Sequence, residues 1–384
     1  MKVQEKLRAL LKDLKEKRRR KRDRNDEAYY MASQWTLMWR KLMRHGLARL
    51  SLVVLGLLYF IALFGNFLAP SDLVAYNADT KDAPPTKLHL FHQGKFTGPF
   101  VYGISAERNM ETFMREYREN KDETYRLRFF TRGPGYKLWG LFPGDRHLFG
   151  VEEGGHLFIF GTDSMGRDLF SRMILGSQIS LTIPFAGTLI SFVLGILIGS
   201  LSGYFGGLFD TFIQRVIEVI SSFPTIPLWM ALSAAIPADI PVVKMYLLVT
   251  IIISFISWTG LARVVRGRFI SLRKEDFVTA AKLSGVGTFT IILRHLIPGF
   301  MSYLIVSLTL AIPNMIIGET SMSFLGLGIR SPATSWGVLL QEAQDISSIA
   351  TFPWRLIPLF AVILTVMAFN FLGDGLRDAA DPYK

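Results

Sequence analysis

Long apolar stretches dominate the pattern of this 384-residue chain. A helix needs about 20 mostly apolar residues to cross the roughly 30 Å hydrocarbon layer of a bilayer, and it leaves no backbone polar group unpaired there. The chain has six such stretches, so we predict an all-α polytopic membrane protein with six transmembrane helices. The stretches lie near Leu50–Ala69, Ile179–Ser202, Phe212–Ile236, Val243–Ala262, Pro298–Ile317 and Leu356–Leu372.

The third stretch is the least purely apolar. Arg215 and Glu218 lie three residues apart in its first turns, where they can pair on one face close to water. Pro224 and Pro227 each remove a backbone donor, so we predict a kink or a break near Phe223–Pro227.

Broken helices at membrane depth often line a transport path, although a kink can also serve packing alone. Both interpretations, lining of a path and packing alone, apply to Pro224 and Pro227 in the third stretch and to Pro313 in the fifth. The candidate pathway or gate residues are Phe223, Pro224, Pro227, Pro313, Asn314 and Glu319.

A long segment, residues 70–178, separates the first two apolar stretches, and we predict that it forms a small α+β subdomain. Apolar residues at helical spacing predict a helix over Ser105–Lys121, with Met110, Phe113, Met114 and Tyr117 on one face. Alternation and short aromatic runs predict strands at Tyr125–Phe130, Lys137–Phe142 and His156–Phe160.

The chain has 43 Lys and Arg residues against 31 Asp and Glu residues, and the surplus is local. Residues 1–49 hold sixteen basic and six acidic side chains, whereas residues 70–178 hold fourteen of each. Basic residues near membrane helices favour the cytoplasmic side. We therefore expect both chain ends in the cytoplasm, residues 70–178 outside and no cleavable signal peptide. The segment Arg263–Arg294, with seven basic residues, agrees.

The basic tail has three possible uses: fixing topology, binding the anionic inner leaflet, or binding nucleic acid. No aromatic stacking platform accompanies its charges, and a membrane helix follows it directly. We expect topology and membrane lipid contact, with no nucleic acid partner.

The chain shows no pattern for catalysis or metal binding. It has no cysteine, no phosphate-binding Gly-x-x-x-x-Gly-Lys-Ser/Thr sequence and no His-Glu-x-x-His pair. None of the six apolar stretches contains a histidine that could activate a serine. We therefore expect no enzyme activity, no metal and no cofactor in this chain.

The segment between the fourth and fifth stretches suits a short helix lying along the membrane surface. Ala280 and Ala281 give a flat face that another protein can approach closely, and Gly285 ends or turns the helix. The segment resembles the coupling loop of binding-protein-dependent ABC importer permeases. Ala280, Ala281, Gly285, His295 and Pro298 match its pattern after Glu275 and Asp276, and Thr279 stands where the family usually has Glu.

Further motifs resemble the oligopeptide/dipeptide/nickel branch of that family, and specifically its second permease subunit. The motif before the second stretch is Gly-Thr-Asp-x-x-Gly-Arg-Asp-x-x-Ser-Arg, which places Gly161, Thr162, Asp163, Gly166, Arg167, Asp168, Ser171 and Arg172. The others are Gly203–Gly207 with Asp210, Glu319–Gly328 with Ser335–Gly337, and Asp374–Pro382.

Four of these residues, Asp163, Arg167, Asp168 and Arg172, alternate in sign within ten positions. We expect a charge network that braces the helix ends. A solute site is the alternative, which we consider weaker because exposed charge networks are mostly structural.

The resemblance implies a type I ABC importer permease fold in the cell inner membrane. It implies three kinds of partner: a second homologous permease, two cytoplasmic ABC ATPases that bind ATP and Mg, and an extracytoplasmic solute-binding protein. Solute, by default a peptide, would move inward by alternating access. The implied division is a tail (1–49), a first helix (50–69), an outer subdomain (70–178), a core (179–373) with coupling loop 263–297, and a cytoplasmic end (374–384).

Two other classes of function stay open on the residues alone. An ion-coupled secondary transporter would hold an acid or a histidine at mid-membrane depth. The six stretches hold no charged residue apart from Arg215, Glu218 and Lys244, all near stretch ends, so we expect no such group at mid-depth. A membrane scaffold or receptor would use the outer subdomain to bind its partner.

Overall fold

The computed structural model describes residues 33–111, 115–237, 240–330, 332–345 and 350–381. Residues 1–32 of the basic tail and Pro382 of the terminal motif lie outside the described residues. Within these ranges, five helices are long and apolar enough to cross a membrane. They are α2 (Gly46–Leu63), α4 (Leu169–Phe205), α7 (Val242–Leu272), α9 (Thr288–Phe324) and α11 (Pro353–Ala380).

A bent pair, α5 (Gly207–Ser222) and α6 (Thr225–Ala234), supplies the sixth candidate span, and its two halves meet at 85°. The predicted break near Phe223–Pro227 is confirmed. Phe223 is extended (φ −87°, ψ 137°) because the following proline disfavours the helical conformation at this position. Pro227 lies in the first turn of α6, where its missing N–H would have had no helical partner anyway. The shorter helices are α1 (Gln34–Arg44), α3 (Gly65–Leu68), α8 (Asp276–Leu283) and α10 (Trp336–Glu342).

Helices α4 and α7 pack closely because glycines recur every fourth residue along α4, at 195, 199 and 203. A Cβ atom on Gly199 would lie 2.5 Å from the carbonyl oxygen of Ala262, and one on Gly203 would lie 2.6 Å from that of Arg266. Small residues at this spacing let two membrane helices bring their backbones together.

The outer subdomain is a four-stranded antiparallel sheet in the order β1-β2-β3-β4. Its strands are β1 (His89–His92), β2 (Lys95–Arg108), β3 (Arg115–Leu138) and β4 (Phe142–Val151). The predicted strand at Tyr125–Phe130 is confirmed within β3.

The predicted helix over Ser105–Lys121 is wrong. Ser105 pairs with Arg118 and Ala106 with Tyr117 across the β2–β3 ladder. Cross-strand pairing therefore overrides the helical spacing of a few apolar residues. Met110 is exposed in the connection between the strands, and Phe113 and Met114 lie outside the described residues.

Two predicted strands are also wrong. Lys137–Phe142 spans a tight turn between β3 and β4, since Trp139 and Gly140 both have positive φ. His156–Phe160 is irregular and is held through Thr86, whose N–H donates to the carbonyl oxygen of Phe158 at 2.8 Å.

The glycine contact gives a stability prediction. We expect Gly199→Ala to lower the free energy of unfolding by about 1–3 kcal/mol, because the added methyl group meets backbone that cannot move aside. Gly56→Ala is the matched control, since a Cβ there meets nothing within 4 Å and alanine favours the helix. Thermal unfolding of the purified variants measures both, and equal effects would contradict the packing account.

Candidate functional site

Helix α8 carries the predicted coupling residues. Glu275 precedes its first turn, and Val278 and Ala281 are buried in a cluster that includes Phe269 and Ile292. The helix ends at Leu283, and Gly285, just after the capping Ser284, has φ +75°. The Gly285 N–H donates to the carbonyl oxygen of Lys282, and the Val286 N–H donates to that of Ala281, both at 3.0 Å. These two bonds form a glycine-dependent helix stop.

The opposite face of α8 is exposed and partly apolar. Leu283 is 85% exposed, and Phe277 is 46% exposed. Large apolar side chains held at the surface of a short helix are typical of a protein interaction site. The structure places the other predicted coupling residues Glu275, Asp276, Thr279, Ala280 and Gly285 at exposed positions, in contrast to the buried Ala281.

His295 and Pro298 follow α8 at the start of α9 and are both exposed. The helix is irregular here, with a π turn at Ile291–Leu296 and a 3-10 turn at Ile297–Phe300. Pro298 has no N–H to donate, which accounts for the interrupted α-helical pattern.

An inner joint connects α8 to two membrane helices; we define it as Gly203, Tyr204, Asp210, Arg266 and Arg273. Arg273 donates to the carbonyl oxygens of Gly203 (3.1 Å) and Tyr204 (3.0 Å) at the end of α4. A cation there pairs with carbonyl groups that have no helical partner and with the negative end of the helix dipole. Arg266 holds both carboxylate oxygens of Asp210, at 2.5 and 2.6 Å.

The α8 helix itself contacts this joint. The ammonium group of Lys282 lies 5.2 Å from the centre of the Tyr204 ring, within the range of a cation–π interaction. The coupling helix is therefore attached to the inner ends of α4 and α7.

An outer charge cluster lies at the other end of α4 and comprises Asp163, Arg167, Arg172 and Glu342. Asp163 accepts from Arg167 at 2.7 Å and from Arg172 at 2.5 Å. Glu342, at the end of α10, pairs with Arg167 at 3.0 Å and with Arg172 at 2.5 Å. The side chains of Asp163 and both arginines are buried, and a buried charge is costly unless it is paired. Each arginine pairs with two carboxylates, which offset this cost.

Asp168 is not part of the ion pairs and instead caps α4. Its carboxylate accepts from the backbone N–H groups of Phe170 (3.3 Å) and Ser171 (2.9 Å). Burial raises the pKa of Asp168 to about 6, and the charge of Asp163 adds to this shift.

The rest of the motif joins this region to the segment before the sheet. The Thr162 hydroxyl donates to the carbonyl oxygen of Thr80 at 2.6 Å, and the Ser171 hydroxyl accepts from the Ser71 N–H at 3.0 Å. Gly161 and Gly166 have positive φ, and a Cβ on Gly166 would overlap the carbonyl oxygen of Asn77. The motif is thus a closely packed joint.

The candidate pathway residues do not form one group. Asn314 lines a cavity of about 390 Å³ between the membrane helices, together with Trp229 from α6 and Thr188 from α4. The other five, Phe223, Pro224, Pro227, Pro313 and Glu319, are not among the described residues that line this cavity.

Glu319 corrects one expectation. Helix α9 extends to Phe324, so a fully buried acid does lie within a candidate membrane helix. Its carboxylate accepts from the Ser323 hydroxyl at 2.8 Å and lies 3.5 Å from that of Ser180. These hydroxyls reduce the cost of burying the group.

Some residues of these clusters were not predicted from the sequence. Glu342 is 170 positions from Arg172, and the buried Arg355 pairs with Asp82 across 273 positions. The sequence did contain one signal, an imbalance of charge within the motif. Once Asp168 is assigned to the helix cap, Arg167 and Arg172 have only Asp163 as a nearby acidic partner, so a second acid is needed from elsewhere. Spacing alone did not identify Glu342. Within the described residues, no group of three or more His, Asp or Glu side chains could hold a metal ion.

Comparison with known proteins follows the same regions. Residues 195–383 match the family described as "Binding-protein-dependent transport system inner membrane component". Residues 33–85 match "N-terminal TM domain of oligopeptide transport permease C".

Two curated relatives and one solved structure illustrate the similarity. The oligopeptide transport system permease protein OppC of Haemophilus influenzae is 43% identical over 231 residues, 60% of this chain and 71% of its own. The dipeptide transport system permease protein DppC of Bacillus subtilis is 39% identical over 224 residues, 58% of this chain and 68% of its own. An inward-facing MetNI methionine ABC transporter structure is 16% identical, covers 56% of this chain and 98% of its own, and has a TM-score of 0.42. This last likeness is too distant to support a conclusion.

The outer cluster gives a second stability prediction. Glu342→Gln leaves two buried arginines with one carboxylate, so we expect a loss of ~3 kcal/mol or more in the free energy of unfolding. Glu218→Gln is the matched control, because it breaks an exposed pair with Arg215 and should cost less than about 1 kcal/mol. Denaturation of both variants measures the difference, and similar losses would contradict the role of burial.

Asp168 gives a prediction of pH dependence. The folded chain binds the proton of this carboxyl more tightly than the unfolded chain, so protonation stabilises the fold. This contribution is fully present below pH ~4 and is lost as pH rises through about 6. Asp168→Asn keeps an acceptor for the cap but cannot titrate.

We therefore expect the free energy of unfolding of the wild type to fall relative to the variant by roughly 3 kcal/mol between pH 4 and 7. Unfolding curves of both proteins across this range measure the difference. Parallel profiles would show that Asp168 ionises normally.

Proposed function

The chain belongs to the family of binding-protein-dependent transport system inner membrane components, and we propose that it moves oligopeptides or dipeptides inward through alternating access. It is a multi-pass permease of the ABC importer class. The peptide cargo is our proposal, because OppC and DppC, the relatives named for oligopeptide and dipeptide transport, share about 40% of the aligned residues.

Helix α8 is the observation that supports the mechanism best. The face of α8 that carries Val278 and Ala281 is fixed in a buried cluster, while Ala280 and Leu283 are exposed. Such a helix can transmit force because it is short, ended by a glycine stop and attached at Tyr204. We propose that it docks on a cytoplasmic ATPase.

Force on α8 would reach the membrane helices through the inner joint. Arg273 and Arg266 bind α7 to the end of α4 and the start of α5, so these three helices would move with α8 as one body. Rigid-body motion of helices is a common way to switch between conformations.

Two neighbouring cavities support a path for solute. The cavity that Asn314 lines shares Tyr303, Ser307 and Leu310 with a second cavity of about 950 Å³ near the inner helix ends. The described residues that line the Asn314 cavity are all uncharged, with hydroxyl, amide and apolar groups, whereas the second cavity also has charged lining residues. The uncharged lining of the Asn314 cavity suits peptide backbones with varied side chains.

The assembly that we propose includes a second permease, two ABC ATPases and an extracytoplasmic solute-binding protein. ATP and Mg would bind the ATPases, and this chain would hydrolyse nothing itself. Because successive spans alternate in direction, α8 and both chain ends lie on the side opposite the sheet. We propose that this side is the cytoplasm of a cell whose inner membrane holds the protein.

The docking surface gives the test of this function. We expect Ala280→Arg to remove solute-stimulated ATP hydrolysis in the purified complex while leaving membrane insertion intact, because a large charged group replaces a methyl group on the docking face. Thr36→Arg is the matched control, an exposed position on α1 that lies outside α8 and outside the candidate spans. If solute stimulated ATP hydrolysis in Ala280→Arg as much as in the control, the proposal that the ATPase docks on α8 would be wrong. If no ATPase co-purified with the chain, the proposed assembly of permeases, ATPases and binding protein would be contradicted.

A further inference from the structure

The tip of the β3–β4 hairpin is unusually apolar for a turn in an outer subdomain. Trp139, Leu141 and Phe142 are 52%, 75% and 59% exposed. Trp139 also has φ +54°, a left-handed backbone conformation. This conformation is energetically unfavourable for a residue with a large side chain, and asparagine or glycine would adopt it more easily. A turn facing water would favour polar residues here.

The tip is held at a definite depth. Helix α2 has 18 residues, so it is about 27 Å long and nearly spans the hydrocarbon layer. Its last residue, Leu63, therefore lies near the boundary between acyl chains and headgroups. The Trp139 indole N–H donates to the Leu63 carbonyl oxygen at 2.9 Å, and Asn66 donates to the carbonyl oxygen of Lys137 at 3.2 Å. Tryptophan is enriched at this depth in membrane proteins.

An apolar surface continues from α2 onto the tip. Along α2, four exposed side chains recur at helical spacing on one face: Leu50, Val53, Leu57 and Phe60. Ring contacts then run from Phe60 to Phe64 (4.8 Å), from Phe64 to Trp139 (6.0 Å) and from Trp139 to Phe142 (6.0 Å). The medium that covers the apolar face of α2 is therefore expected to cover the tip as well.

We propose that Trp139, Leu141 and Phe142 insert into the headgroup–acyl boundary of the outer leaflet and anchor the sheet to the bilayer. The sheet lies outside both family matches, so this role is additional to the shared permease core. The anchor fixes the height of the sheet above the membrane. It depends on α2 being a span and does not depend on the identity of the solute.

The test uses the absence of cysteine from the chain. Leu141→Cys carries a nitroxide spin label in the full chain, purified with its partners and placed in lipid nanodiscs. Collision rates with oxygen, which concentrates in hydrocarbon, and with a water-soluble nickel chelate report the surroundings. Val53→Cys on α2 is the lipid reference, and Asp122→Cys, an exposed position on β3 far from the turn, is the aqueous reference.

We expect the Leu141 label to collide more with oxygen than with nickel, as at Val53, and the reverse at Asp122. A Leu141 label that favours nickel would place the tip in water and overturn the proposal. A label shielded from both reagents would show that protein covers the tip, which also overturns it. Leu141 has the largest exposed fraction of the three tip residues, so its replacement should not unfold the chain. A label at Phe142→Cys repeats the measurement independently.

Discussion

The close approach of α4 and α7 is the contact on which the rest of the structure depends. Helix α4 has 37 residues and is therefore about 55 Å long, which exceeds the thickness of the hydrocarbon layer. Glycines at 195, 199 and 203 let α7 lie directly against its inner half. With no hydrophobic drive between helices in lipid, such backbone contact and the dispersion energy it brings are the main source of cohesion. Both ends of this helix pair can then be used for other interactions.

Arginines lie at both ends of the α4–α7 pair, and different groups compensate their charges at each end. At the outer end, burial of Arg172 is tolerable because Asp163 and Glu342 both pair with it. At the inner end, Arg273 binds carbonyl groups that α4 leaves without partners, and Asp210 neutralises Arg266. In the proposed mechanism, a displacement of α8 would reach the outer end of α4 through these packed contacts.

Membrane helices and local caps could be predicted from the sequence, because both follow from short-range rules. Apolar length identified the spans, Pro224 identified the break, and Gly285 identified the end of α8. The two strand ends within Ser105–Lys121 were missed because their stability comes from pairing with each other, which helical spacing does not encode. Glu342 was missed for a similar reason, since a partner 170 positions away is chosen by tertiary packing. Glu319 was placed outside the fifth apolar stretch, which ends near Ile317, but helix α9 continues to Phe324 and includes it.

The source of energy separates a passive path moved by partner ATPases from a transporter that works alone. Uptake of a labelled peptide into proteoliposomes that contain the chain, its partner permease, the ATPases and the binding protein tests it most directly. We expect uptake only with ATP on the α8 side of the membrane and with the binding protein on the other side. Uptake driven by a proton or sodium gradient without ATP would contradict it, and would direct attention to the buried carboxyl group of Glu319 as the ion-coupling site.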